Sequence, residues 1–309
     1  MQWKTINGWE MCGGVIARVA LRTLVGYPMC RNQTLLNQTR KFADALFGDA
    51  AVINCTPPFM RPVMAPLLAL PAKMYGARYR KILEPLVMER IQLVDEYNKS
   101  GEGELPHMDP TKISMRILAL NTMFIFAMSY VFGHTVIDLC VSPDKEEFFC
   151  GIDQECRRVM REYHDAHPEG GLASKQAIDQ LYRNDSAIRE SMRLSDVGIV
   201  TLPRDVVGNK PLDLGNGIIA PPGTRMQQDD DEKEWELMVT LTPGVLAFGY
   251  GKRACPGRWF VVQILKQALG YLIMNYEIEF IGEAPKRKVL LNMMIPPTNA
   301  KLRIRRKFE

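Results

Sequence analysis

The stretch Phe248-Gly249-Tyr250-Gly251-Lys252-Arg253-Ala254-Cys255-Pro256-Gly257-Arg258 decides how this chain is read. Three glycines in so short a segment let the backbone turn tightly and approach a flat ligand closely. Pro256 stands just after the cysteine, where a helix can begin. That placement sets the Cys255 sulfur near the orphan N–H groups of a helix N-terminus, which stabilise a thiolate. A thiolate in a glycine-rich loop suits a soft axial bond to iron. A cysteine met alone is more simply a buried residue in a turn, but the surrounding pattern sets this one apart.

Outward from the loop, the pattern is helical on the N-terminal side. Apolar residues recur at helical spacing from Gly14 to Val25 and from Asn37 to Phe47. Thr56-Pro57-Pro58 breaks the second run, and Arg61-Pro62 and Ala65-Pro66 keep the next one short. Tyr75 to Asn98 is a long charged helix, followed by the polar loop 99–104. An apolar helix runs from about Thr111 to Cys140. Lys145 to Tyr163 is charged, with a thin apolar stripe at Phe148, Ile152 and Val159. Two short helices follow, Ser174 to Leu181 and Asp185 to Leu194, and Asp185 is placed as the N-cap of the second.

Past Leu194 the pattern changes. Val197 to Val200 and Arg204 to Val207 suggest strands, Gly215-Asn216-Gly217 a hairpin, and Pro221-Pro222-Gly223 a turn. Gln227 to Glu236 is an acidic loop. Pro256 to Asn275 is expected to be a helix, and Tyr276 to Phe280 and Leu302 to Arg305 alternate as strands do.

Composition narrows the function. Hydrophobic residues make up 47% and charged residues 24% of 309 residues, ordinary for a globular chain with a sizeable core. A net charge of +4, with no basic run interleaved with aromatics, argues against a nucleic-acid partner. Seven cysteines without regular spacing do not form a disulfide framework. The segment Ile117 to Gly133 is apolar enough to span a membrane but is at the short limit, and Asn121 interrupts it, so a buried core helix is the expectation. Cys150, Cys156, His164 and His167 could be imagined around zinc, but their spacings miss the usual ranges.

Phe-x-x-Gly-x-Arg-x-Cys-x-Gly is the cysteine signature of the cytochrome P-450 family. Phe248, Gly251, Arg253, Cys255 and Gly257 meet each of its fixed places. The chain resembles the C-terminal part of that family. Its wording is similar to fungal members acting on terpenoids and indole-diterpenes, of the ent-kaurene oxidase kind, at Pro57 to Pro62, at Leu246 to Lys252, and at Asn121 and Asp138-Leu139. The family's second signature, Glu-x-x-Arg, stands at Glu190 and Arg193, whose spacing puts both on one helix face as an ion pair.

The resemblance implies a mainly α fold with a small β region, a truncated cytochrome P-450 fold. It implies one domain over 1–309 that lacks its N-terminal portion, with a helical part at 1–194. The cysteine loop, final helix and small sheets then occupy 195–309. It implies haem b (heme) with Cys255 as the metal ligand, Phe248 near the sulfur, and Arg253 and Arg204 at the propionates. Gly251 and Gly257 would allow close approach. It also implies electrons from NADPH through a cytochrome P-450 reductase, a small apolar substrate, and a monomer. The family's setting is the cytosolic face of the endoplasmic reticulum membrane, although this N-terminus shows no anchor.

Three departures accompany the resemblance. The chain begins inside what would be the family's fifth helix. At the kink of the central helix, relatives carry an acid, amide or histidine and then threonines. Aligning Asn121 and Asp138-Leu139 puts Phe126, Ala127, Met128 and Ser129 there. Ala127 cannot donate a proton, and Ser129 lies about 200° further round the helix. Positioned proton transfer is worth roughly 10² to 10⁴ in rate. A second alignment, through His134-Thr135, restores a polar pair but breaks the Asp138-Leu139 match. Lastly, the family's third arginine between Glu-x-x-Arg and the cysteine is replaced by Gln227-Gln228-Asp229-Asp230-Asp231-Glu232. The resulting expectation is a monooxygenase, with an impaired or inactive haem-binding remnant as the alternative.

Overall fold

A computed structural model describes residues 2–98, 109–166, 174–195, 204–215, 217–226, 238–240, 247–290 and 293–307. Nine α-helices and nine strands are found among them, and helix dominates. The chain forms two compact units, residues 9–130 and residues 1–8 with 131–309. The division falls within the apolar helix.

The unit at 9–130 is helical. It holds α1 (Gly8–Leu24), α2 (Gln33–Cys55), α3 (Arg61–Leu68), α4 (Leu70–Asn98) and the first part of α5 (Pro110–Val141). Asn32 starts α2 by accepting the Leu35 N–H at 3.0 Å, as a helix cap should. Pro62 sits in the first turn of α3, where its missing N–H costs nothing. Helices α2 and α4 pack together, and Leu35, Leu36, Tyr79 and Leu83 are buried. Asn121, the interruption in the apolar run, donates to the Tyr79 hydroxyl at 3.0 Å. Both residues are fully buried, so the bond gives the Asn121 amide N–H and the Tyr79 oxygen a partner where none from water is at hand, while Asn121 Oδ1 stays unbonded. Burial pushes the Tyr79 hydroxyl up to about 12 against the pull of Asn121. Helix α5 is long and apolar enough to cross a membrane, but 72% of its most apolar window is buried in the protein.

The other unit is built around α9 (Arg258–Asn275). Val261, Val262, Ile264, Leu265, Leu269, Leu272 and Ile273 are all buried along one half of the helix, whereas Trp259 and Tyr271 are exposed on the other. Such a helix must have its apolar face covered. It is covered by α6 (Lys145–Ala166), α7 (Lys175–Asp179) and α8 (Tyr182–Leu194). It then runs directly into β6 (Tyr276–Ile281). An antiparallel sheet forms in the order β1 (Lys4–Asn7), β9 (Lys301–Arg306), β6. Arg303 pairs with Glu279, and Arg305 with Glu277, directly across the β6–β9 register. Trp3 lies against both guanidinium groups, at 4.9 and 4.7 Å. Three two-stranded antiparallel pairs are also found: β2 (Arg204–Asp205) with β5 (Arg225–Met226), which encloses the hairpin of β3 (Leu212–Asp213) with β4 (Ile219–Ala220), and β7 (Lys288–Leu290) with β8 (Met293–Ile295).

Several local expectations need correction. The first hundred residues are not all helical, because β1 adds to the C-terminal sheet. Four residues at a chain end carry too little pattern to mark a strand without its partner. Asp185 is not the N-cap of α8; it lies inside the first turn, and Leu181 holds the cap position. Pro256 does not open α9, which begins at Arg258 with Gly257 as N-cap. The expected strand 197–200 and the acidic loop 227–236 lie outside the described residues. Gly215 and Gly217 do flank the β3–β4 turn.

Candidate functional site

The cysteine loop closes on itself before α9 begins. The Cys255 N–H donates to the Phe248 carbonyl at 2.7 Å, and the Ala254 N–H to the Gly251 carbonyl at 3.1 Å. The backbone reverses between these bonds through Gly249 and Gly251, at φ of 72° and 67°. Only glycine adopts that region without strain. A side chain at Gly251 would meet nothing within 4 Å, so this glycine serves the turn and not a close approach within the chain. After the cysteine, the first residue of α9 reaches back. Arg258 donates to the Cys255 carbonyl at 3.0 Å and lays its guanidinium 5.4 Å from the Trp259 ring. The loop is thus tied on both sides of Cys255.

Cys255 itself is a free thiol, half-buried. A haem iron asks for one soft, accessible sulfur on a loop held by its backbone. The residues here fit that requirement. Among the described residues no cluster of three histidine, cysteine or acidic side chains could hold a metal ion. Cys150 is exposed and Cys156 buried, the latter accepting from Asn184 at 3.3 Å. His164 and His167 lie outside the described side chains, as do those of Arg253 and Arg204; the Arg204 backbone is in β2.

Helix α8 carries the second signature. Asn184, Asp185, Ile188, Ser191 and Met192 are buried at helical spacing. Glu190 and Arg193 fall between them and therefore face outward, 54% and 47% exposed. Arg193 grips Glu190 with two nitrogens, at 2.7 and 2.8 Å. That bond, and the charges of Arg193 and Arg287, hold the Glu190 carboxyl below its ordinary range.

What positions α8 was not evident from its own residues. Glu155 of α6 accepts the Arg183 N–H at 2.9 and 3.0 Å and the Asn184 N–H at 3.3 Å. It supplies the cap that Leu181 cannot. Asp185 pairs with Lys266 of α9 at 2.7 Å, both side chains 4% exposed, and accepts the Met238 N–H at 2.7 Å. At the other end, Asp138 of α5 accepts from Ser191 at 2.7 Å and from Arg287 at 2.9 Å. Arg287 also donates to Ser195 at 3.0 Å. The segment expected to lack a third arginine, 227–232, lies outside the described residues. Arg287, from just before β7, nevertheless brings a further cation to Glu190.

A cleft of about 1050 Å³ opens among the end of α5, α6 and α8, lined by Asp138, Glu190 and Arg193 among others. No residue of the cysteine loop lines it.

The central-helix positions lie in the unit at 9–130. Ala127 is exposed, Met128 is fully buried, and Ser129 is half-buried with its hydroxyl oxygen sequestered and unbonded. Phe126 stacks on Phe47 of α2, ring centroids 3.6 Å apart. Further along, His134 is buried, and its imidazole is pushed down to about 4, first by burial and then by Arg287. Thr135 spends its hydroxyl on the Val131 carbonyl at 2.8 Å.

No protein-family model matches the chain. Curated proteins do. The chain is 26% identical to the cytochrome P-450 monooxygenase gloP of Glarea lozoyensis, over 99% of this chain and 66% of that protein. It is 27% identical to htyF of Aspergillus rugulosus, over 89% of this chain and 48% of that protein. Against nodZ of Hypoxylon pulicicidum the identity is 25%, over 99% and 66%. Both of these are also named cytochrome P-450 monooxygenases. The chain therefore spans two thirds or less of the length of these relatives. The likeness runs through nearly all of this chain, the fold is mainly helical with a small β region, and the free cysteine stands in its glycine-turned loop: the chain is similar, along almost its whole length, to fungal cytochrome P-450 monooxygenases.

Proposed function

We propose that this chain acts as a haem-thiolate monooxygenase on a small apolar, terpenoid-like metabolite. Cys255 would hold the iron of haem b, with Arg253 and Arg204 toward the propionates and Phe248 beside the sulfur. Bound haem supplies oxygen chemistry, toward which a thiolate ligand pushes electron density. The net reaction joins one atom of O₂ to a C–H carbon and releases the other as water. NADPH gives the two electrons through a reductase partner. The two compact units would belong to one domain, monomeric and facing the cytosol at the endoplasmic reticulum membrane. The carrying observation is Cys255, a free, half-buried thiol on a loop closed by Phe248 and turned at Gly249 and Gly251.

The test is a spectrum of the purified, haem-reconstituted chain. Its reduced, CO-bound Soret band should stand at the long wavelength of thiolate ligation, about 450 nm. A C255S variant should lose that band. A blue-shifted band in the unaltered chain, or no haem uptake, overturns the reading.

A second reading, a haem binder with impaired turnover, is favoured by the central helix. Phe126, Ala127 and Met128 offer no proton, and the Ser129 hydroxyl is sequestered. Here NADPH consumption would yield hydrogen peroxide in place of hydroxylated product, and a product yield matching NADPH consumption removes this reading.

A further inference from the structure

We infer that Asp185 and Lys266 are positioning residues for the cysteine ligand: their buried pair sets the register of α9 against α8. The inference rests on the reading of Cys255 as the iron ligand.

Helix α9 begins three residues after Cys255, so any slide or rotation of α9 moves the sulfur. Its own surface selects no register well. Apart from Lys266 and Gly270, the face it buries is valine, leucine and isoleucine, and such a face packs acceptably in more than one setting. Lys266 is the one cation buried on that helix. It lies about two turns into α9. Its ammonium meets Asp185 Oδ1 at 2.7 Å, with both side chains 4% exposed.

Two charges in an apolar interior are tolerated only in contact, because each alone carries a large desolvation cost. A shift of α9 by one helical turn, about 5.4 Å, would strand both. A pair of leucines would tolerate such a shift. The other oxygen of Asp185 is committed as well, to the Met238 N–H at 2.7 Å. Asp185 is therefore fixed from two directions before Lys266 reaches it. It also stands on the helix that bears Glu190 and Arg193, so the pair ties the two signatures of the chain together.

A residue that only stabilises and a residue that sets register behave differently when both charges are removed. Replacing a buried ion pair by neutral groups of similar shape is often neutral or stabilising for the fold. The double variant D185N/K266M keeps an oxygen for the Met238 N–H and the length of the lysine stem. Thermal melting of the haem-free form and the reduced, CO-bound spectrum of the reconstituted form are read together. Register setting predicts a melt at or above that of the unaltered chain, with the larger part of the thiolate band moved to the blue-shifted position. A native-like thiolate band in the double variant overturns the inference. Should the double variant fail to accumulate, D185N alone decides the matter. It retains shape and the Met238 contact, and it should show a mixed spectrum; a full thiolate band overturns the inference there too. Failure of the unaltered chain to give the thiolate band removes the proposed function, and is thereby distinguished from failure of the pair.

Discussion

The two ends of α8 carry two ion pairs of opposite character. Glu190–Arg193 is close in sequence, bidentate and about half exposed. Asp185–Lys266 joins residues far apart in the chain and is almost wholly buried. The first is the one a motif finds. The second is the one that physics makes expensive to disturb. Exposed pairs contribute about 0 to 1 kcal/mol, whereas stripping one partner from a buried pair costs about 3 to 5 kcal/mol. Recognisability and energetic weight are thus separated on one helix, because a motif records spacing and an ion pair's energy depends on burial.

Breaking the buried end should have the largest effect. K266M leaves the Asp185 carboxylate enclosed without its cation. Chemical denaturation should show a loss of about 3 to 5 kcal/mol. A loss under about 1 kcal/mol would mean that Asp185 is reached by water and the contrast is false.

Acid sharpens the comparison next. The folded protein holds His134 neutral down to about 4, whereas its ordinary value is 6.5. The unfolded chain binds a proton that the folded chain refuses. Stability is full above 6.5 and falls as the pH drops toward 4, by on the order of 3 kcal/mol at most. Denaturant titrations at pH 7 and pH 4.5 should show H134Q losing less than the unaltered chain. Equal losses would discount burial as the cause.

The cap from α6 should rank third. E155A removes the acceptor of the Arg183 and Asn184 N–H groups at the start of α8. A loss of about 2 kcal/mol is expected, as for hydrogen bonds to a charged group. Hydrogen exchange should localise it to the first turn of α8. Protection unchanged at Arg183 and Asn184 would show that another group caps the helix.

The exposed pair should matter least to stability. R193Q should cost less than about 1 kcal/mol, and added salt should shrink that difference. Glu190 is held below its ordinary value, so its contribution is present above 4.5 and is lost as the pH falls below that value. A loss at R193Q as large as that at K266M would erase the contrast between the two ends.

Legibility followed the range of the forces. The hairpin at Gly215 and Gly217 and the turn before Gly223 could be read because positive φ is a local demand. The long helices could be read from apolar spacing, although their ends moved by several residues. Asp185 looked like a cap because an acid near a helix start usually is one. Its real partner lies on another helix, where spacing gives no hint. Asn121 interrupted an apolar run for no local reason; Tyr79 supplies the reason. Arg287 carried no motif, yet it joins Asp138 and Ser195.

Residue order by itself determined the cysteine loop of this protein, since the glycines, the cysteine and the start of α9 act on one another within a few bonds. It also determined the helical class and the face of α8 on which Glu190 and Arg193 meet. Only the tertiary structure decided which charges are buried, what caps α8, and which side chain answers Asp185. Those outcomes depend on desolvation, and desolvation is set by whatever distant segment folds over a residue, not by its neighbours in the chain.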